Sequence, residues 1–288
     1  MKVYNIKVDL EKLEKIIPLI KKKKELIYLD SNYILKEIKK YLLQNKKVAI
    51  IINEVDKLEK NADIKKLVKF VRDKAHDVYG MFQSASIRKR EELLKGLKFN
   101  DIEKHVALLK THISTKERIN INTELYTKIF SMTKKPSSIL DLGCGLNPLT
   151  LPFMNLKKVE YIASDFNQLD MDFLTQYFGV LPATINGVAI KLDLLNDYDK
   201  VKNYNVDVCF LFKVLDSLEG IQKNISYEII KNIKAKWIVV SFPMKTLSGK
   251  KVLKLQKRNW FEKICNRYEY SFETFEMGDE MFYIILCS

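Results

Sequence analysis

The chain is poor in the residues that build covalent or metal-held scaffolds. Its 288 residues include four cysteines, at 144, 209, 265 and 287, and three histidines. No two cysteines have the short spacing of a zinc knuckle or disulfide framework, which excludes a disulfide-stapled secreted scaffold and argues against any metal. Long apolar runs are missing too. Runs such as Ala49–Ile52 and Trp237–Val240 fall far short of the roughly 20 residues of a membrane span, and so does the longest, Met281–Cys287. Met1-Lys2-Val3 leads into charged and polar residues, without the apolar region of a secretory leader. The expectation is a cytoplasmic monomer with no membrane attachment. No repeat, low-complexity segment or Pro/Gly linker divides it.

Arginine is scarce as well, six of the 50 basic residues. A lysine-rich composition colours every surface, so the net charge of +14 favours nucleic acid only weakly. Its distribution says more. Residues 1–117 hold 28 Lys/Arg against 17 Asp/Glu, a net +11, and residues 118–288 hold 22 against 19, a net +3. A basic N-terminal part joined to a nearly neutral C-terminal part suggests a polyanion grip beside a separate chemical part.

What is present is patterned. Leu10, Leu13, Ile16, Ile17 and Ile20 recur at helical spacing. Asp30 or Ser31 can cap a helix carrying Ile34, Leu35, Ile38, Tyr41 and Leu42, and a third follows Asn61 with Ile64, Leu67, Val68 and Val71. Ser86–Leu97 and Asp101–Lys110 read as two more. Val48–Ile52 fits either a helix or a short strand. From Ser137 the period changes. Ser138–Leu142, Val159–Ser164, Val188–Leu192, Val206–Phe212 and Trp237–Phe242 each fit a buried parallel strand. Tyr268–Glu276 and Glu280–Cys287 flank Met277-Gly278-Asp279 as a terminal antiparallel hairpin. This predicts a seven-stranded, Rossmann-like doubly wound α/β sheet whose site lies beyond the strand C-terminal ends, after an N-terminal helical domain. The boundary falls near residues 105–120.

The strongest local signal is Ile139-Leu140-Asp141-Leu142-Gly143-Cys144-Gly145-Leu146-Asn147-Pro148. An apolar strand ends in an acid, and Gly-x-Gly turns the chain so that a ligand can approach the backbone. Asn147 suits an N-cap and Pro148 a first helical position. The next strand ends in Asp165, placed to accept hydrogen bonds from a ribose diol, and the third ends at Asp193-Leu194, suited to an adenine amino group and ring face. No third glycine completes a dinucleotide fingerprint, because position 148 is proline. An acid before Gly-x-Gly and an acid at each of the next two strand ends match class I S-adenosylmethionine-dependent methyltransferases. Cys144, in the turn, and Cys209, within a strand, are expected to be structural and not nucleophiles.

Four segments in order carry a more specific likeness: His112-Ile113-Ser114-Thr115-Lys116-Glu117-Arg118, the Asp141–Pro148 turn, Phe212-Lys213-Val214-Leu215 with Leu218-Glu219, and Ser241-Phe242-Pro243-Met244-Lys245-Thr246-Leu247-Ser248-Gly249-Lys250. Together with Arg72-Asp-Lys-Ala-His76 and Tyr79, they resemble the aminoglycoside-resistance 16S ribosomal RNA methyltransferases, over roughly residues 65–260. The resemblance implies methylation of guanine N7 in the decoding-site helix, with S-adenosylmethionine as donor, no metal, and the small ribosomal subunit as partner. It implies a basic helical RNA-binding domain over 1–112 and a methyltransferase domain over 113–288. Arg118 would hold the methionine carboxylate, with Asp141, Gly143, Gly145, Asp165, Asp193 and Leu194 completing the cofactor site. Lys213, Glu219, Lys245, Lys250 and Lys251 would position RNA. Lysine stands at 116, 245 and 250 where the family usually carries arginine. No acid–base residue is expected, since N7 has a lone pair and no proton. Three rivals remain open on sequence alone: a housekeeping methyltransferase for another RNA nucleotide, a non-catalytic RNA-binding relative, and a small-molecule methyltransferase.

Overall fold

The computed structural model describes residues 2–3, 5–23, 26, 31–75, 87–244 and 258–287. The chain forms two compact units, Met1–Ser84 and Ala85–Ser288.

The first unit starts with two short antiparallel strands, β1 (Lys2–Val3) and β2 (Ile6–Lys7). Among the described residues four α-helices follow: α1 (Leu10–Lys21), α2 (Ser31–Gln44), α3 (Lys46–Glu54) and α4 (Ala62–Ala75). Asp9 caps α1 by accepting from the Glu11 amide at 2.9 Å. At the other end, Arg72 donates to the carbonyls of Leu19 (2.5 Å) and Ile20 (3.2 Å), satisfying acceptors that α1 leaves open. Leu13, Ile16, Ile20, Ile34, Ile38, Leu42, Ile64, Leu67 and Val71 fill the core at the spacing read from sequence. Val48–Ile52 lies within helix α3. Val48, Ala49 and Ile52 are buried while Ile50 faces out, a period that only a helix produces.

The second unit begins with α5 (Ile87–Leu94), α6 (Ile102–Leu109), α7 (Ile113–Arg118) and α8 (Asn122–Thr133). Helices α5 and α6 belong here, and the chain divides at 84/85 where the sequence reading drew 112/113. The reason is packing: Leu94, Leu97, Leu108 and Leu109 share a core with strand residues Ile139 and Tyr161. The sheet then forms from β3 (Ser138–Leu142), β4 (Val159–Asp165), α9 (Gln168–Gly179), β5 (Ile185–Lys191), β6 (Asn205–Phe212), α10 (Leu215–Ile221), α11 (Ile225–Asn232), β7 (Lys234–Pro243), α12 (Asn259–Arg267), β8 (Ser271–Met277) and β9 (Glu280–Leu286). Tyr268 and Tyr270, counted with the hairpin in the sequence reading, precede β8, and β5 starts three residues before Val188.

The spatial order is β5-β4-β3-β6-β7-β9-β8. Strands β3 to β7 run parallel, and β9 pairs antiparallel with both β7 and β8. The chain winds outward from β3 to β5 and then returns to β6, so the order reverses between β3 and β6, where such sheets open a crevice. Alternation along the strands makes two cores. Ile139, Phe210 and Val239 face α8 and α9 residues such as Ile129 and Leu174, while Leu140, Cys209 and Ile238 face Ile229 and Phe261 of α11 and α12. Exposed Glu273 and Glu276 charge the β8 edge against further pairing.

Gly187 of β5 shows how closely the layers meet, since an added Cβ would lie 2.0 Å from Cδ1 of Phe178 on α9. Gly187→Ala should therefore cost about 1–3 kcal/mol in thermal or denaturant unfolding. Gly179→Ala, with open space around it, should be close to neutral.

Candidate cofactor and target site

At the end of β3 the chain turns through Gly143 (φ +63°) and Gly145 (φ +50°), both left-handed. A Cβ on Gly143 would lie 2.6 Å from Val214, so glycine is required there twice over, by dihedral and by space. The Cys144 amide donates to the Ser164 carbonyl at 2.9 Å, which fastens the turn to β4.

Asp141, one strand position from this turn, is 1% exposed. Its Oδ2 accepts from Tyr161 Oη at 2.6 Å and Asn147 Nδ2 at 2.9 Å. Asn147 thus clamps Asp141 and is not the N-cap of the segment that follows; Leu146 holds that position, and the segment Asn147–Phe153 is 3-10 helix. Tyr126 donates to Asn147 Oδ1 at 3.1 Å, which fixes the amide orientation. Burial raises the Asp141 carboxyl to about 6, against these hydrogen bonds and the nearby Arg118 charge. Oδ1 has no hydrogen-bond partner among the described residues.

Asp165 closes β4. Its Oδ2 accepts from the Gly145 amide and its Oδ1 from the Asn167 amide, each at 3.0 Å. Burial lifts its pKa to about 7, with the charges of Asp170 and Asp141 adding to the rise and the two amides opposing it. The Leu192 amide donates to the Asp165 carbonyl at 2.9 Å, bringing the segment after β5 alongside. There Asp193 accepts from the Leu195 amide at 3.0 Å and from Asn196 Nδ2, and Leu194 is buried in the second core.

Arg118, at the end of α7, is 3% exposed. Its Nε lies 3.4 Å from Glu280 Oε1, and its guanidinium carbon lies 4.9 Å from the Phe212 ring centroid. Its Nη1 is buried and has no hydrogen-bond partner among the described residues. Lys213, just beyond β6, adopts φ +58°, a strained backbone of the kind that gathers at functional sites. Its Nζ pairs with Glu117 and lies 3.4 Å from the same Glu280 oxygen. Glu280 Oε2 accepts from Ser241 Oγ at 2.6 Å.

Thus Arg118, Asp141, Gly143, Gly145 and Asp165 come together, and Glu280 joins them to Lys213. Glu219 stands apart. Its two oxygens accept from the amides of Asn224 (2.9 Å) and Ser226 (2.8 Å), tying down the start of α11. Lys245, Lys250 and Lys251 lie outside the described residues, as do His76 and Tyr79. Sequence reasoning missed Glu280, although an acid opening the apolar strand Glu280–Leu286 was a usable signal. It gave His112 no role beyond its motif. That ring lies 3.1 Å from where a Gly145 Cβ would stand, and burial with the charges of Arg90, Arg118 and Lys213 lowers its pKa to about 3, so it is neutral. His105 is structural, contacting the Asp101 carbonyl at 2.8 Å and Tyr177 Oη at 3.1 Å. Burial pushes the Cys144 and Cys209 thiols well up, which disfavours a thiolate nucleophile.

The residues fit an amino-acid head group. A buried donor at Arg118 Nη1 and a buried acceptor at Asp141 Oδ1 each cost about 1–3 kcal/mol while unsatisfied. A carboxylate and an ammonium would satisfy them respectively. Among the described residues there is no His/Cys/Asp/Glu group that could hold a metal, and no helix is long and apolar enough to cross a membrane.

A parallel sheet with a terminal antiparallel hairpin, a left-handed glycine turn and acids at successive strand ends defines a class I methyltransferase. The family model for ribosomal RNA methyltransferase (FmrO) matches residues 51–284, and the chain belongs to that family. A 16S rRNA (guanine(1405)-N(7))-methyltransferase of Micromonospora rosea is 30% identical over 233 residues, covering 77% of this chain and 83% of the relative. One from Proteus mirabilis, with the same description, is 30% identical over 243 residues, covering 77% and 84%. The crystal structure of 16S rRNA methyltransferase RmtF in complex with S-adenosyl-L-homocysteine matches with a TM-score of 0.77 at 22% identity, over 98% of this chain and 100% of that one, a likeness of fold.

Gly143→Ala should weaken S-adenosylhomocysteine binding by more than about tenfold in calorimetry, because the side chain forces the turn open. Cys144→Ala should bind within a few-fold of the parent, the thiol having no part in chemistry.

Proposed function

We propose that the chain methylates N7 of a guanine in the decoding-site helix of 16S ribosomal RNA, acting as a monomer on the small ribosomal subunit in the cytoplasm. One observation carries this reading. Glu280 contacts both Arg118 and Lys213, read here as the cofactor-holding and target-holding residues, in a chain whose relatives at 30% identity are guanine-N7 methyltransferases of 16S rRNA.

S-adenosylmethionine, when bound, supplies a methyl group on an electrophilic sulfonium. Arg118 Nη1 holds its carboxylate, and Asp141 Oδ1 its ammonium. Gly143 and Gly145 keep the turn open to it, Asp165 accepts from the ribose hydroxyls, and Asp193 and Leu194 receive the adenine. Guanine N7 has a lone pair and no proton, so the residues need only align the reactants and exclude water. That fits a site where His112 is held neutral and the cysteines are held as thiols. Lys213, Lys245, Lys250 and Lys251 neutralise phosphate and steady the extruded nucleotide, whose unstacking is offset by such contacts. Glu219 serves the target indirectly, by anchoring the turn after α10.

The first unit grips RNA. It carries 20 Lys/Arg against 12 Asp/Glu over residues 1–84, and a cavity of about 390 Å³ there is lined by Lys22, Lys23, Lys65, Lys69 and Arg72, among others. Lysines bind phosphate as point charges, so this grip is insensitive to base identity. A methyl on N7 adds positive charge and removes an acceptor where cationic aminoglycosides dock, which is a route to resistance.

Purified small subunits incubated with the protein and S-adenosylmethionine should acquire one borohydride–aniline cleavage site, in the decoding-site helix, read by primer extension. Methylated RNA that resists cleavage would reject N7 chemistry, and binding without methylation would make the chain an RNA-holding module. Arg118→Ala should abolish labelling by losing cofactor. Glutamate at Lys22, Lys23, Lys65 and Lys69 together should weaken subunit binding and leave cofactor affinity unchanged. The same variant should make the slope of log K against log salt concentration shallower by about 0.7–0.9 for each phosphate no longer neutralised.

A further inference from the structure

A second buried network, outside the residues assigned above, ends on the cofactor pocket. Arg90 of α5 and Asp170 of α9 are 6% and 5% exposed and lie 80 residues apart in sequence. Arg90 Nη1 meets Asp170 Oδ1 at 2.6 Å, and Arg90 Nε donates to Thr111 Oγ1 at 3.0 Å. The other Asp170 oxygen accepts from Asn167 Nδ2 at 2.7 Å. Asn167 is the turning point. Its Oδ1 accepts from the Leu169 amide to cap α9, and its own amide donates to Asp165 Oδ1 at 3.0 Å. Asp165 then reaches the Gly145 amide through Oδ2. A continuous path of hydrogen bonds therefore runs from α5 to the glycine turn.

A buried ion pair is a poor source of stability, since well-packed apolar residues of similar volume serve as well or better. Its value lies in direction. Arg90 fixes both the position and the charge of Asp170, and Asp170 fixes the rotamer of the residue whose amide holds Asp165. We infer that Arg90 and Asp170 are positioning residues for the ribose end of the cofactor pocket, acting through Asn167 on Asp165. The inference rests on the reading of Asp165 as the ribose acceptor.

The charged and titratable groups facing Asp165 are Asp141 from β3, Cys144 from the turn and Asp170 from α9, with Arg90 of α5 balancing Asp170. Ribose hydroxyls donate best to the ionised carboxylate, so binding favours that form. Affinity reaches its full value roughly a unit above the free-protein pKa of Asp165, about 7, is about half of that at the pKa, and declines further as pH falls through it. Removing the negative charge of Asp170 lowers that pKa and moves the decline to lower pH.

The test uses the full chain and calorimetric titration with S-adenosylhomocysteine between pH 5.5 and 8.5, a span on the order of the unit-wide rise of a single titration on each side of 7. Asp165→Ala sets the reference loss. Asp170→Asn and Arg90→Met should each weaken binding about tenfold at pH 8, and the double variant should be no weaker than the weaker single, since both interrupt one path. Arg90→Lys, which keeps the charge if Arg90→Met does not fold, should recover most of the affinity. Asp170→Asn should also shift the acid decline to lower pH, which a purely structural role would not do. Parental affinity and an unshifted decline in folded Asp170→Asn would overturn the inference, as would fully additive losses in the double variant. Unchanged affinity in Asp165→Ala would instead overturn the ribose assignment itself.

Discussion

Everything at the site depends on keeping two carboxylates, Asp141 and Asp165, out of water at the carboxyl ends of adjacent parallel strands. Burial drives their pKa values to about 6 and about 7, so that near neutral pH Asp141 is mostly ionised and Asp165 is about half protonated. Each is held by donors from the fold itself. Asp141 has Tyr161 and Asn147 on one oxygen, the other having no partner among the described residues, and Asp165 has a backbone amide on each. The glycine turn is what allows this, because a side chain at Gly143 would strike Val214 and push the turn away from both acids. A pocket that leaves its acids under-satisfied gains differential affinity for a ligand that brings donors.

The terminal hairpin completes the other half. Its reversal after Met277 lays β9 antiparallel beside β7 and places Glu280 opposite Pro243, next to Ser241. One buried carboxylate thereby braces Arg118 and Lys213, which come from opposite sides of β3–β6 in sequence. With Nε engaged, the guanidinium keeps Nη1 free for a ligand. The hairpin is in this sense part of the site as well as the sheet edge.

Much of this was legible from sequence because strands and acids announce themselves locally. Apolar runs ending in Asp141 and Asp165, and the two glycines, required only period and spacing. What stayed hidden depends on residues distant in sequence. Asn147 looked like a cap because it precedes proline, yet its amide turns inward to Asp141, a choice made by Tyr126 from α8. Glu219 is a different case: read as a target residue by likeness, its carboxylate also holds backbone amides only five and seven residues on, a local tie that no sequence pattern marks. The Arg90–Asp170 pair spans 80 residues and left no local pattern. The division at 84/85 was missed for a related reason: amphipathic helices such as α5 and α6 look alike whether their apolar face meets other helices or a sheet.

The central claim is that the strand-end acids are held at raised pKa by burial and settle into the ionised state when a donor-bearing cofactor arrives. Carbon-13 NMR of the aspartate carboxyls, with Asp165 assigned by Asp165→Asn, measures this directly. The account predicts that Asp165 titrates near 7 in the free protein and moves to lower pH on saturation with S-adenosylhomocysteine. Titration near the ordinary value of about 4 in the free protein, unchanged by the ligand, would contradict it.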